Sequence, residues 1–467
     1  MRKLRINIIV LMVAAGLSQS CRVTKDYSRP ELNLPENFDN TKFQADGDSI
    51  NEMPDYASFF KNRELITLLD SVTKNNLDLR VATENILASE AMLKNVKLNY
   101  LPDVNLQVNA GVQRLSKNSM TGTFVSNLVF QDYTLAPAIS WEVDFWGKLK
   151  RQREEVLATY LGQKETRRAL RVQLIAEVAT AYYNLLSLDK QLSITTEVER
   201  TMEKTLDILK TQYSVGEVNS IAVKQSEAQL AETRALIPEI KASIKAQENA
   251  LRTLTGNYPG AIKRSGNLEE HTFGMDLQTG IPADLLANRP DIKQSEFMLM
   301  AANARLGIAK TSFYPSLNIT AQAGINSISA SKWFLVPASL FGNATAGLTQ
   351  PIFNRRRIKS AYEQAQFNLE AAVHGFRKSV LVAVEEVSTS MSNIEQAELQ
   401  GAEVANRKEA MDKAIEDAGV LYKYGDATYI EVLAVQQGYL QAEMAQVAVR
   451  LKGINAYISL YKSLGGN

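Results

Sequence analysis

Metal or nucleophilic chemistry has few residues to draw on in this sequence: two histidines, His271 and His374, and one cysteine, Cys21. A zinc or iron centre needs several imidazole, thiolate or carboxylate donors grouped at short spacing, and these three are scattered. His374 lies in an apolar helical pattern, where a structural role is expected, and His271 has no candidate partner near it. No acid–base pair, phosphate-binding loop or metal-ligand spacing is present, so the sequence predicts no catalytic residue, no metal and no cofactor. The 52 Lys and Arg nearly balance the 51 Asp and Glu. Nucleic-acid binding therefore has no electrostatic support.

Cys21 offers a different chemistry. Arg2, Lys3 and Arg5 precede an apolar stretch, 8–17, in the pattern of an export signal over 1–20. Leu17-Ser18-Gln19-Ser20-Cys21 resembles a bacterial lipobox, with Ser18 where the usual leucine stands three before the cysteine. The expectation is a mature chain beginning at Cys21, anchored by acyl chains such as palmitate. The other reading is a plain signal peptide with a chance cysteine. Residues 21–63 then form an extended, proline-bearing arm. Beyond the signal, no apolar run reaches the ~18 residues of a membrane-spanning helix.

The elements that must position everything else are two long helices. Leu174, Val178, Ala181, Leu185, Leu188 and Leu192, then Met202, Leu206, Leu209 and Tyr213, recur at steps of three and four. This is a coiled-coil seam, predicting one helix over 148–213. Val380, Val384, Val387, Met391 and Ile394 repeat the pattern within 355–423. Ahead of each long helix the period changes to two. Val104, Leu106, Val108, Ala110 and Val112 alternate with polar residues, and Leu135, Ile139, Trp141, Val143 and Phe145 alternate with Ala136, Ala138, Ser140, Glu142 and Asp144. Leu317 to Ile325 and Ala344 to Leu348 do the same in the second half. Each run suits a transmembrane β-strand, although soluble antiparallel sheets also alternate this way.

The chain is a tandem repeat: helix, strand, strand, long helix, turn, helix, twice. Asp78, Pro102 and Gly111 return as Asp291, Pro315 and Gly324, each 213 later (291 − 78, 315 − 102, 324 − 111). The expected divisions are repeats over 64–255 and 284–464, a connector over 256–283 and a tail over 465–467. Helices over 64–98 and 221–254 would together reach roughly 104 Å, against roughly 99 Å for 148–213. In the second half, 284–311 and 429–464 reach roughly 96 Å against roughly 104 Å for 355–423. Stacked short helices thus match one long helix, twice. Pro238 is expected to kink its helix. Four strands cannot seal a membrane barrel, so strands in lipid demand sister chains. Three copies give twelve strands around a water-filled lumen.

Several pieces together resemble the outer-membrane factor family, the TolC-like trimeric tunnels of tripartite efflux pumps. They are Asp26-Tyr27-Ser28-Arg29-Pro30 with Pro35, Asn76-Leu77-Asp78-Leu79, Asp144-Phe145-Trp146-Gly147, and Ala176-Glu177-Val178-Ala179 with Ala181-Tyr182-Tyr183. The second half adds 285–292, Tyr314-Pro315-Ser316 and 348–353. The resemblance implies a mainly α protein with a membrane β-barrel: a homotrimeric twelve-stranded barrel in the outer membrane of a Gram-negative bacterium and an α-helical tunnel in the periplasm. It implies a passive efflux or secretion channel, not an enzyme, docked to a periplasmic adaptor protein and an inner-membrane RND-type pump. It further implies that the helical reversals, Gly216 and Glu217 with Gly425 and Asp426, form the periplasmic mouth and meet the adaptor. The acidic residue six after the second reversal glycine, Glu431, would ring that mouth as a gate. The second acidic residue of some members is Ala434 here, and the first-half equivalent is Ala222.

A basic cluster opens each long helix: Lys148, Lys150, Arg151 and Arg153, then Arg355, Arg356, Arg357 and Lys359. Cations at a helix N-terminus oppose the macrodipole, so the reading taken is contact of Lys148, Lys150, Arg151, Arg355, Arg356 and Arg357 with anionic outer-membrane lipid headgroups. The competing reading of the whole chain is a lipid-tethered, non-conducting periplasmic coiled-coil scaffold.

Overall fold

The computed structural model of the chain describes residues 25–35, 55–125, 127–266, 268 and 284–466. The first repeat runs α1 (Tyr56–Phe60), α2 (Arg63–Asn75), α3 (Leu77–Leu98), β1 (Asp103–Arg114), α4 (Met120–Phe124), β2 (Val129–Val143), α5 (Lys148–Ser214) and α6 (Ser220–Leu254). The second runs α7 (Leu285–Asn288), α8 (Pro290–Thr311), β3 (Ser316–Ser327), β4 (Leu340–Thr349), α9 (Arg357–Tyr424) and α10 (Tyr429–Ser463). The helix–strand–strand–long helix–turn–helix order read from the sequence is therefore present twice.

Two compact units cut across the repeats, each taking segments from both. Of the described residues, one comprises those within 25–31, 86–162 and 295–375; the other comprises those within 32–85, 163–294 and 376–466. The first holds all four strands, in a single antiparallel sheet of order β1-β2-β3-β4. Asp103 pairs with Ser140 in the first hairpin and Ser316 with Thr349 in the second. Between the hairpins, β2 pairs with β3 so that Ile139 faces Ala321 and Trp141 faces Ile319. β1 and β4 are the two open edges.

The second unit is helical. Its core contains the seam residues Leu174, Val178, Ala181, Leu185, Met202, Leu206 and Leu209 of α5, with Val380, Val387, Met391 and Ile394 of α9, all buried. Steps of three and four keep such positions on one helix face, which is why they are withdrawn from water together. The α6 helix continues through Pro238 without interruption. Among the described residues no helix is long and apolar enough to cross a membrane.

The first helix of each repeat is broken rather than continuous. The 64–98 span breaks at Asn76, whose backbone turns extended at ψ 130°. Its amide oxygen accepts the backbone N–H groups of Asp78 and Leu79, at 2.9 and 3.1 Å, starting α3. Its amide nitrogen donates to the Leu254 carbonyl at the end of α6, at 2.9 Å. The 284–311 span breaks at Arg289, which donates to the Ser463 carbonyl at the end of α10, at 2.9 Å. Asn76 and Arg289 are 213 apart (289 − 76) and Leu254 and Ser463 are 209 apart (463 − 254), so the same junction is built twice. Both junctions satisfy an orphan carbonyl of a helix C-terminus with a side-chain donor from the break. Gly256 and Gly465, at φ +69° and +103°, leave room there: a Cβ would approach the carbonyl oxygens of Asn75 and Asn288 to 2.8 and 2.9 Å. Residues 465–466 are thus part of the fold. The connector is tied as well, with Arg264 bridging Asp189 of α5 and Glu248 of α6 at 2.5 and 2.6 Å.

Candidate functional site

Three surfaces carry the functional expectations: the sheet, the strand-to-helix junctions and the helical turns. On β1 every residue is exposed, on both faces. Val104, Leu106, Val108 and Val112, between 60% and 70% exposed, form the apolar face. Asn105, Gln107, Asn109 and Gln113 form the other. The apolar face of β4 carries Leu348, also largely exposed. A sheet with one apolar face, one largely polar face that carries Asp132 and Glu142 of β2, and two unpaired edges suits lipid on one side and water on the other.

At the first junction Asp144 accepts the backbone N–H groups of Leu149 and Lys150, both at 3.0 Å, capping α5 with a carboxylate. Trp146 donates its indole N–H to the Pro315 carbonyl at 2.7 Å and packs on Tyr314, ring centroids 4.8 Å apart. This aromatic contact joins the two repeats. A cavity of about 340 Å³ beside it is lined by Glu142, Asp144, Lys148, Tyr314, Thr349 and Arg357, among others.

The basic clusters fare unequally. Arg151 is buried, so it is not open to headgroups. Its guanidinium pairs with Asp26 at 2.8 Å and Glu154 at 2.6 Å. Gly307 makes room for its stem, since a Cβ there would lie 3.0 Å from Arg151 Cγ and Cδ. Lys148 is held by Glu142 at 2.8 Å and Lys150 stands 3.7 Å from Glu154. Arg355 and Arg356 precede α9 with left-handed backbones, φ +52° and +66°. They and Arg357 are exposed. The N-terminal arm is clasped beside these groups: Tyr27 donates to Glu296 at 3.0 Å, and Arg29 binds both oxygens of the same carboxylate at 2.7 and 2.8 Å.

The two turns are near copies. Gly216 and Gly425 both sit at φ +82°, a conformation that costs glycine nothing and other residues more. The N–H of Glu217 closes onto the Gln212 carbonyl at 3.0 Å and that of Asp426 onto Leu421 at 2.9 Å. Asn219 then caps α6 and Thr428 caps α10. The turns differ in the first turn of the helix each one opens. Ala222 has no polar side chain to reach back to its cap. The Glu431 carboxylate accepts the Thr428 backbone N–H at 2.6 Å and its hydroxyl at 2.9 Å, completing a capping box. These hydrogen bonds from Thr428 hold the Glu431 carboxyl below the usual carboxylate range. Exposed apolar side chains flank both turns at matching places, Val215 and Ile221 on one, Tyr424 and Ile430 on the other. Gln436 of α10 donates to Thr205 of α5 at 2.8 Å, and Tyr422 of α9 to Gln212, tying one hairpin to the other.

His374 is exposed on α9, outside the buried seam to which its apolar surroundings in the sequence point; Phe376 and Val380 hold the inward positions. Cys21 and His271 lie outside the described residues. Among the described residues no group of His, Cys, Asp and Glu is placed to hold a metal. The pairings that the sequence did not disclose, Arg151 with Asp26 and Arg289 with Ser463, join residues far apart in the chain.

The outer membrane efflux protein family model matches residues 68–257 and 281–466. The chain is 27% identical to the solvent efflux pump outer membrane protein SrpC of Pseudomonas putida, over 97% of each chain. It is 26% identical to the cation efflux system protein CusC of Escherichia coli, over 98% of this chain and 99% of that one. A membrane protein from Pseudomonas aeruginosa shares the fold, with a TM-score of 0.87, 24% identity and coverage of 95% of this chain and 100% of that one. With the doubled strand–helix programme, the apolar sheet face and the paired glycine turns all present, the chain belongs to the outer membrane efflux protein family.

Proposed function

We propose that this protein is the passive outer-membrane conduit of a tripartite efflux system. It works as a homotrimer, with twelve strands closed into a barrel and the helices forming a tunnel in the periplasm. The observation that carries this reading is the pair of unpaired strand edges, β1 and β4, on a sheet whose apolar face is exposed. Backbone groups along such edges cannot remain unpaired in lipid, so the sheet needs sister copies. An acyl-modified Cys21 adds an anchor. No step of this function requires bond-making, and the channel is a conduit for work done by the inner-membrane RND-type pump.

The turns at Gly216–Glu217 and Gly425–Asp426, with their exposed Val215, Ile221, Tyr424 and Ile430, are the surfaces offered to a periplasmic adaptor. Glu431, three times over, places anionic carboxylates around the mouth, favouring cations. Arg357 is offered to anionic headgroups, with the loosely paired Lys150 beside Glu154, whereas Arg356 is held by both oxygens of Glu363 at 3.2 and 3.1 Å. The relatives' names attach solvents and cations to channels of one architecture. Cargo choice then belongs to the pump rather than to this wall.

Planar-bilayer conductance and heat-modifiable gel mobility test the reading. The expected result is a detergent-requiring particle of three chains that conducts steadily. A protein that is water-soluble once its N-terminal lipid is removed, and silent in the bilayer, would instead be the periplasmic scaffold.

A further inference from the structure

The internal repeat specifies how a second copy docks. Strand β3 is β1 displaced by 213 (316 − 103), and β4 is β2 displaced by 209 (349 − 140), from the matched registers of the two hairpins. The β2–β3 pairing is therefore a seam between repeats that the chain makes once internally. The open edges β4 and β1 are the same two surfaces, left over. Carrying the β2–β3 register across, Ile139 opposite Ala321 becomes Leu348 opposite Val108 (139 + 209, 321 − 213). Likewise Leu135 opposite Ile325 becomes Ala344 opposite Val112 (135 + 209, 325 − 213). Apolar residues meet apolar ones at both positions. A slip by one residue would set Leu348 against Gln107 or Asn109 and put polar groups on the lipid face.

The anchor beside the seam differs between the repeats, and the change has a direction. Helix α5 begins at Lys148 and α9 at Arg357, again 209 apart (357 − 148). Gly147 and Arg356, at φ +79° and +66°, hold the same place. Arg355 thus stands where Trp146 stands. The Trp146 partners, Tyr314 and Pro315, correspond to Leu101 and Pro102 (314 − 213, 315 − 213), and the next residue is Asp103. Arg355 and Asp103 are both exposed and carry opposite charge. Leu101 is exposed too, and the indole nearest it in its own chain, Trp141, donates to the Tyr100 carbonyl rather than to that of Pro102.

We propose that β4 of one copy pairs antiparallel with β1 of a second in the register Leu348 opposite Val108, locked by Arg355 on the Pro102 carbonyl and the Asp103 carboxylate of that second copy. The inner seam is held by an indole and the outer seam by a cation. This rests on the trimeric-barrel reading above, and it takes Arg355 out of the lipid-facing set.

The test is cysteine crosslinking of the full chain in native membranes, with copper phenanthroline as oxidant. Each chain carries one strand of each seam, so L348C/V108C is expected to give a covalent trimer on reducing-agent-free gels, while L348C/L106C and L348C/A110C do not. Crosslinking of either shifted pair in preference would overturn the register while leaving the trimer standing. Single-chain particles with no crosslink at any pair would overturn the barrel reading itself. Charge reversal tests the lock. Arg355→Asp and Asp103→Arg should each speed trimer dissociation in detergent severalfold, and the double exchange should restore it. Trimers that dissociate at the wild-type rate in all three variants would remove Arg355 from the seam.

Discussion

Glu431 has one duty seen in its hydrogen bonds and a second proposed for its charge, and two substitutions tell them apart. Its carboxylate closes a capping box, and its charge is the feature proposed to matter at the mouth. Glutamine at this position keeps the reciprocal hydrogen bonds, whereas alanine loses them. Glu431→Gln should therefore keep the thermal midpoint and lower cation preference in reversal-potential measurements. Glu431→Ala should lower both, the cap contributing about 1 kcal/mol. If Glu431→Gln leaves selectivity untouched, the residue is a cap and no more. Arg151 makes the opposite point. Its place in a basic run suggests lipid contact, yet Asp26 and Glu154 draw it inward. Arg151→Ala should destabilise the strand-bearing unit by about 2 kcal/mol, because the packing of its buried stem and two charge-assisted hydrogen bonds are lost while Asp26 and Glu154 return to water. Loss of protease resistance of the N-terminal arm would register it.

At the scale of elements, the twin junctions govern stability. Asn76→Ala removes two capping bonds and one carbonyl partner, an expected cost of about 1–2 kcal/mol in urea unfolding followed by circular dichroism. Arg289→Ala should cost more, about 3 kcal/mol, because removing a buried cation leaves Asp291, Glu386 and the Ser463 carbonyl unanswered. The same junction sets an acid limit. Burial pushes the Asp291 carboxyl up, but hydrogen bonds and charge from Arg289 outweigh it and hold the group below its ordinary value. Its contribution is therefore complete above the unfolded value of about 3.9 and disappears as pH falls through the lower folded one. The melting temperature of the helical unit should drop below about pH 4. Asp291→Asn should flatten that drop, and an unchanged slope would assign the acid sensitivity elsewhere. These junctions were not legible in the sequence, because a helical period runs unbroken across Asn76 and the partners stand far along the chain.

For the whole molecule the decisive contrast is between the two faces of the sheet. Val108→Arg places a cation on the apolar face and should cost about 2–4 kcal/mol of membrane-inserted stability, read as loss of heat-modifiable trimers. Asn109→Arg, the next residue, sits on the polar face. It should leave trimers intact and shift conductance towards anions. Equal effects of the two substitutions would be those of a soluble hairpin, not of a barrel wall.

Periodicity by itself determined the element order, both long helices, all four strands and the two glycine turns. Steps of three to four and of two are local consequences of where Cβ points, and they survive without knowledge of any partner. The doubling was equally plain, because identical programmes leave matched residues at constant offsets. Pairing at a distance was decided only by the tertiary structure. Asp26 came to neutralise Arg151, Arg289 to close the end of α10, and His374 to face outward while Phe376, two residues on, took the inward place. A side chain's partner depends on which surfaces meet in space, and a one-dimensional pattern records which face is apolar but not what it will touch.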